Sequence, residues 1–111
     1  MDLAIAVAAD AGNRSVLSLI GSLDLTTRDM LKENGAAALS AQKKQGLVID
    51  LSGVTFFDSS GLGALIELAG DADDAGASFE LRNPSDRVLR VLRIAGLTDA
   101  WPIEHSGDSG A

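Results

Sequence analysis

Apolar and polar positions alternate loosely over residues 1–9, with Leu3, Ile5 and Val7 on one side, which is the period of a strand. Residues 10–13 read as a turn, because Gly12 and Asn13 both tolerate positive φ. Residues 16–20 resume the apolar pattern as a second strand, so the chain opens with a predicted hairpin. The stretch GSLD at 21–24 is expected to break that strand. From Thr26 the period lengthens. Thr26 followed by Asp29 resembles a capping box, and Met30, Leu31, Gly35, Ala38 and Leu39 recur at helical spacing up to a stop at Gly46. LVIDL at 47–51, bounded by Gly46 and by Ser52 and Gly53, predicts a central strand buried on both faces. Val54, Phe56 and Phe57 are read as a hydrophobic connection.

Asp58, Ser59, Ser60 and Gly61 then open the strongest helical pattern in the chain, with Leu62, Leu65, Ile66 and Ala69 at i, i+3, i+4 and i+7 and Gly76 as its stop. Residues 78–81 predict a fourth strand. Asn83 and Pro84 supply a helix start, Val88, Leu89, Leu92 and Ala95 its buried stripe, and Gly96 its end. Trp101 to Ile103 tucks back on the body. The expected fold is therefore α/β, a small mixed four-stranded sheet in β-β-α-β-α-β-α order. Its first pair is antiparallel and the rest parallel through crossovers. Right-handed crossovers that keep moving in one direction put the helices mainly on one face. One domain over 1–104 and a flexible, Gly/Ser-rich tail over 105–111 complete the expectation.

Composition narrows the function. The chain has 111 residues, 46% hydrophobic and 23% charged, which suits one folded domain. It has no cysteine, so disulfides and thiolate metal sites are excluded. Its net charge of −7 speaks against nucleic acid and anionic membrane as partners, since both select clustered Lys and Arg. The N-terminus has no basic segment followed by a signal-peptide core, and no apolar run approaches the roughly 20 residues that span a bilayer. The expected location is the cytoplasm.

Catalytic constellations are missing from the sequence. His105, the only histidine, falls in the expected tail, so no Ser-His-Asp or Cys-His arrangement can be assembled. Ser59 and Ser60 are not in a G-x-S-x-G elbow, and neither a phosphate loop nor G-x-G-x-x-G occurs. Asp71, Asp73 and Asp74 spread around a helix end and lack the glycine turn and distal glutamate of a calcium loop. The expectation is a protein that is not an enzyme and uses no cofactor and no metal.

The informative stretch is GLVIDLSGVTFFDSSGLGALIEL at 46–68. A strand delivers the chain to Asp58, a plausible N-cap, and Ser59 and Ser60 occupy the first helical turn. The plain reading is that these side chains satisfy free N–H groups at a helix start. The functional reading is that a first-turn hydroxyl lies at the lip of the domain, within a partner's reach. A phosphate there adds about −1.5 to −2 charges, tolerated by the helix dipole but obstructive at an interface.

The same stretch closely resembles the signature of STAS domains, and of anti-sigma factor antagonists in particular. GSLD at 21–24 resembles the family's G-x-L-D, and NPS at 83–85 with VLRIAGL at 91–97 resembles its last helix and glycine stop. The resemblance spans roughly residues 3–103. It implies a partner-switching mechanism. The unphosphorylated antagonist binds an anti-sigma factor that is also a serine kinase, phosphorylation releases it, and a serine phosphatase restores it. Carried onto this sequence, the phosphoacceptor is Ser59, with Ser60 as the alternative. Asp58 sets its geometry, and Asp24 contributes to the partner surface or else stabilises the next helix. Gly61 and Gly63 permit close approach of the partner or of the adjacent strand. Family members often end in a further amphipathic helix, whereas HSGDSGA at 105–111 makes that helix look short or absent; a monomer or weak dimer is expected. The competing reading is a STAS adaptor or subunit of a transport or scaffold complex without a phospho-switch.

Overall fold

The opening alternation forms an antiparallel pair, β1 (Leu3–Ala9) and β2 (Arg14–Leu23), turned at Asn13 with φ 60°. There follow α1 (Arg28–Ser40), β3 (Gly46–Phe57), α2 (Ser59–Asp74), β4 (Ser78–Arg82), α3 (Asp86–Ile94) and β5 (Ile103–Glu104). This computed structural model describes residues 2–40 and 45–105. The end of the first helix toward Gly46 and all of the expected tail after His105 lie outside the described residues. The sheet order is β1-β2-β3-β4-β5, antiparallel in its first pair and parallel in the other three.

Five strands replace the expected four. The addition is β5, only two residues long, which is too short to show any period in sequence. It is held by Leu81 N–H donating to Pro102 O at 3.0 Å and Asn83 N–H donating to Glu104 O at 2.7 Å. Trp101 packs edge-on against Phe79, ring centroids 5.3 Å apart. The chain thus tucks back as expected, but by joining the sheet.

A second difference concerns the length of β2 and β3. GSLD does not end β2, and residues 54–57 are strand rather than connection. Gly21 adopts φ 119°, a conformation open to glycine, and the register shifts there while pairing continues through Ser22 with Phe56 and Leu23 with Phe57. A further register shift lies between Ser18 and Ile20, and because the two strands pair with each other, pairing carried through these irregularities lengthens both. A Cβ at Gly21 would also collide with the Asp2 carbonyl, to which Ser22 N–H donates at 2.9 Å.

One face of the sheet carries the core. Leu17, Leu19, Leu47, Ile49, Leu51 and Leu81 are fully or almost fully buried against Leu31, Leu65, Leu68, Val88 and Leu92, so all three helices share that face. A Cβ at Gly35 of α1 would run into Leu68 of α2; the missing side chain lets these helices approach closely. The other face carries a network of ion pairs beside buried Val16 and Val48. Arg14 bonds to Asp10 at 2.7 Å and reaches Glu80 on β4 at 2.9 Å, crossing β3 at Gly46, where a Cβ would meet the Arg14 stem at 3.1 Å. Val48, beside that crossing, is fully buried, whereas Asp50 and Ser52 further along are half-buried and exposed. Burial on both faces therefore holds for the first half of β3 only. No helix among the described residues is long and apolar enough to cross a membrane.

Candidate functional site

Strands β3 and β4 are parallel, so α2 and α3 both start at the same end of the sheet. At that end β3 delivers Asp58, whose extended backbone (φ −133°, ψ −171°) makes it the N-cap of α2. Its Oδ1 accepts from Ser60 N–H at 2.9 Å and from Gly61 N–H at 3.2 Å. A short carboxylate at this position satisfies donors that the helix itself leaves free. Ser59 is the first helical residue. It is exposed, and its hydroxyl makes no hydrogen bond among the described residues. Ser60 is half-buried, with its N–H engaged by Asp58.

The two glycines expected to permit close approach do different things. A Cβ at Gly61 would stand 2.7 Å from Leu23 O and 2.9 Å from Leu23 Cγ, so this glycine lets the end of β2 press against the start of α2. A Cβ at Gly63 would meet nothing within 4 Å. Gly63 is therefore not required by packing; it bares the outer surface of the helix one turn beyond Ser59.

Asp24 follows directly on Leu23 and so lies beside this helix start. Its Oδ1 accepts from Thr26 N–H at 2.9 Å and the Thr26 hydroxyl at 2.8 Å. Its own N–H donates to Thr27 Oγ1 at 3.0 Å. The Thr26 hydroxyl is the main reason the Asp24 carboxyl is held below the ordinary carboxylate range. Asp24 therefore organises the turn that precedes α1, which starts at Arg28 rather than at Thr26. That turn-stabilising part of its expected duties is visible in its bonds.

Sequence periodicity placed Ile66 on the buried stripe of α2, but the stripe is Leu62, Leu65, Leu68 and Ala72, and Ile66 is 46% exposed. It falls on the same side as Ser59 and Gly63, seven and three residues on. The signal available in sequence was the pair Gly63 and Gly70 flanking it at helical spacing, since a Cβ at Gly70 also meets nothing. Arg28 and Lys32 of α1 bond to Glu67 at 3.3 and 3.1 Å, so the start of α1 is tied to this side of α2. Leu25 and Met30, in and just after the Asp24 turn, are 68% and 41% exposed. Exposed apolar side chains around an unbonded hydroxyl suit protein contact.

Among the described residues no cluster of three or more His, Asp or Glu side chains is placed to hold a metal ion. Asp71, Asp73 and Asp74 are exposed at the end of α2.

The chain is similar to several known proteins. The anti-sigma-B factor antagonist of Bacillus subtilis is 29% identical over 94 residues, covering 85% of this chain and 84% of that protein. The solved anti-sigma factor antagonist from Mycobacterium paratuberculosis superposes with a TM-score of 0.80 at 26% identity, over 98% of this chain and 90% of the other. The Bacillus cell fate determinant SpoIIAA in its phosphorylated form shares the fold, with a TM-score of 0.73 at 20% identity over 96% of this chain and 95% of that one. The family model described as Mlab, STAS domain, matches residues 6–104, from the middle of β1 to the end of β5. A match over nearly every element of the sheet and all three helices makes this chain a member of the STAS domain family.

Proposed function

We propose that this chain is an anti-sigma factor antagonist controlled by phosphorylation of Ser59. Unphosphorylated, it binds an anti-sigma factor that is also a serine kinase; once Ser59 carries a phosphate, it lets go, and a serine phosphatase returns it to the binding form. The supporting observation is the position of Ser59, an exposed and unbonded hydroxyl at the first residue of α2, outside the Asp58 cap. Bare Gly63 and exposed Ile66 lie along the same side. Relatives named antagonists of anti-sigma-B factor support the role, and they are regulators rather than enzymes by name.

The cap also decides where the new charge goes. Asp58 already holds the Ser60 and Gly61 N–H groups, so a phosphate on Ser59 points outward beside a carboxylate instead of being absorbed by the helix end. It takes the chain from −7 to about −9 and presents that charge to the partner. Desolvating such a group at a close interface, and meeting like charge there, disfavours docking.

Incubation with ATP and a cognate anti-sigma serine kinase, followed by mass mapping, tests this reading. One phosphate on Ser59, absent from Ser59→Ala, is expected; a phosphate retained in that variant moves the acceptor to Ser60 or elsewhere. A second reading, a STAS subunit of a transport or scaffold complex without a switch, draws on the family description, which names Mlab. That reading expects no phosphate at all.

A further inference from the structure

Among the described residues, positive charge outside α3 is compensated by acidic partners. On α1, Arg28 and Lys32 meet Glu67; on the open sheet face, Arg14 and Arg82 meet Asp10, Glu80 and Glu104. Helix α3 is the exception. Arg87, Arg90 and Arg93, spaced i, i+3 and i+6, are all exposed, and none makes an ion pair among the described residues. They are three of the nine basic residues set against 16 acidic ones, gathered on one helix whose only acid is Asp86.

Two further features set this face apart from an ordinary solvated surface. Ile94, seven residues beyond Arg87 and so on the same side, is 80% exposed, more than any other large hydrophobic side chain among those described. Beside the arginines lies an open cavity of about 300 Å³ lined by Phe57, Asp86, Arg87, Arg90 and Val91. The Arg87 guanidinium carbon stands 5.7 Å from the Phe56 ring centroid, a cation–π contact that steadies the head group without neutralising it. Phe57 directly precedes the Asp58 cap, so the cavity adjoins the start of α2.

We infer that this face of α3 is a second docking surface, and that its occupant is an acidic segment of a protein partner carrying at least one apolar side chain. Its carboxylates meet the guanidinium forks of Arg87, Arg90 and Arg93, a geometry suited to bidentate pairing. Its apolar side chain covers Ile94 or enters the cavity over Phe57 and Val91. Charge complementarity argues for that occupant: at −7 the chain as a whole repels an acidic partner, so such a segment is admitted at α3 and steered away elsewhere.

The test uses the unphosphorylated chain and a designed helical peptide of about 14 residues with glutamate and leucine at i, i+4 spacing. Its control is the same peptide with glutamine in place of glutamate. Heteronuclear NMR titration is expected to move the α3 amides and the Arg87 and Arg90 Nε signals. Binding is expected to weaken about tenfold in Arg87→Gln/Arg90→Gln/Arg93→Gln, as three exposed charge pairs together would give. It should weaken again at high salt and be absent with the glutamine peptide. Equal binding of the two peptides, shifts spread over the whole surface, or unchanged affinity in the triple variant would overturn the inference. So would phosphatidylglycerol vesicles that engage α3 while the peptide does not, which would assign a lipid surface instead. Circular dichroism melts of the variant check that the fold is kept.

Discussion

Two helices start at the same end of the sheet with the same pair of residue types in opposite order. At α2 the cap is Asp58 and the next residue is Ser59; at α3 the cap is Ser85 and the next is Asp86. Both caps work by the same physics, a side-chain oxygen accepting from first-turn N–H groups: Asp58 from Ser60 and Gly61, Ser85 from Val88 at 3.3 Å. The consequence for the hydroxyl is opposite. Ser85 is half-buried and engaged in its cap, whereas Ser59 is exposed and unbonded. Exchanging two neighbouring residues thus decides whether a serine serves the fold or is left for a partner. It also leaves the first turn of α2 without an acidic residue, while Asp86 already fills that position in α3.

The sharpest way to probe the contrast is to place a charge at each start. Ser59→Asp is expected to weaken binding to the anti-sigma kinase by at least about a hundredfold, roughly 3 kcal/mol. Its melting temperature should stay near that of the parent, because an acid at the first helical residue is what α3 already carries. Calorimetric titration beside a thermal melt reads both quantities. Equal affinity for the two forms would count against the switch.

Next in size comes the backbone beneath Ser59. Gly61→Ala should destabilise the fold by about 1–3 kcal/mol, because the added Cβ meets a backbone carbonyl that cannot turn aside. Gly63→Ala, two residues away, should instead stabilise by about 0.5–1 kcal/mol, since it adds helix propensity in open space. Urea unfolding of both variants separates the packed glycine from the bare one.

Removing the caps should cost about the same at either helix and yet differ in outcome. Asp58→Ala and Ser85→Ala are each expected to lose about 1 kcal/mol. Ser85→Ala leaves phosphate incorporation unchanged, while the exchanged pair Asp58→Ser/Ser59→Asp keeps a capped helix and takes up no phosphate at residue 59. Kinase assays with mass mapping distinguish these outcomes.

The smallest effect is on acid stability. Asp24 is held below the ordinary carboxylate range chiefly by the Thr26 hydroxyl, and Asp10 chiefly by the Arg14 N–H. Depressed carboxyls contribute stability that is fully present above their unfolded value, about 3.9, and is lost as pH falls through the lower folded value. Thermal melts below pH 4 should therefore decline less steeply in Asp24→Asn than in the parent. Parallel slopes would show that the turn carries no proton linkage.

Much of this architecture is legible in the amino-acid order. Strand alternation, helix periods and glycine stops located β1, β4, α2 and α3, and the first-turn position of Ser59 followed directly from a buried run ending at Asp58. What escaped was set by contacts between distant residues. Gly21 looks like a terminator in isolation, yet beside the Asp2 carbonyl and a partner strand it becomes a bulge. Asn83 and Pro84 look like a helix start, but Asn83 takes φ 54° and Ser85 is the cap. Ile66 fits the helical stripe by spacing, and only the packing of Leu68 against Gly35 shows that the buried side is rotated away from it. Gly61 and Gly63 are indistinguishable in sequence. The Leu23 carbonyl tells them apart.

The two-residue strand at the far border of the sheet has a dynamic consequence. Held by a pair of peptide bonds' polar groups, one exposed ion pair from Arg82 to Glu104 and one aromatic contact, the segment around Trp101 should be among the first to open and the quickest to exchange its amides for deuterium. Because β3 and β4 do not depend on it for their own pairing, such fraying would come and go while the helix start at Asp58 stays intact.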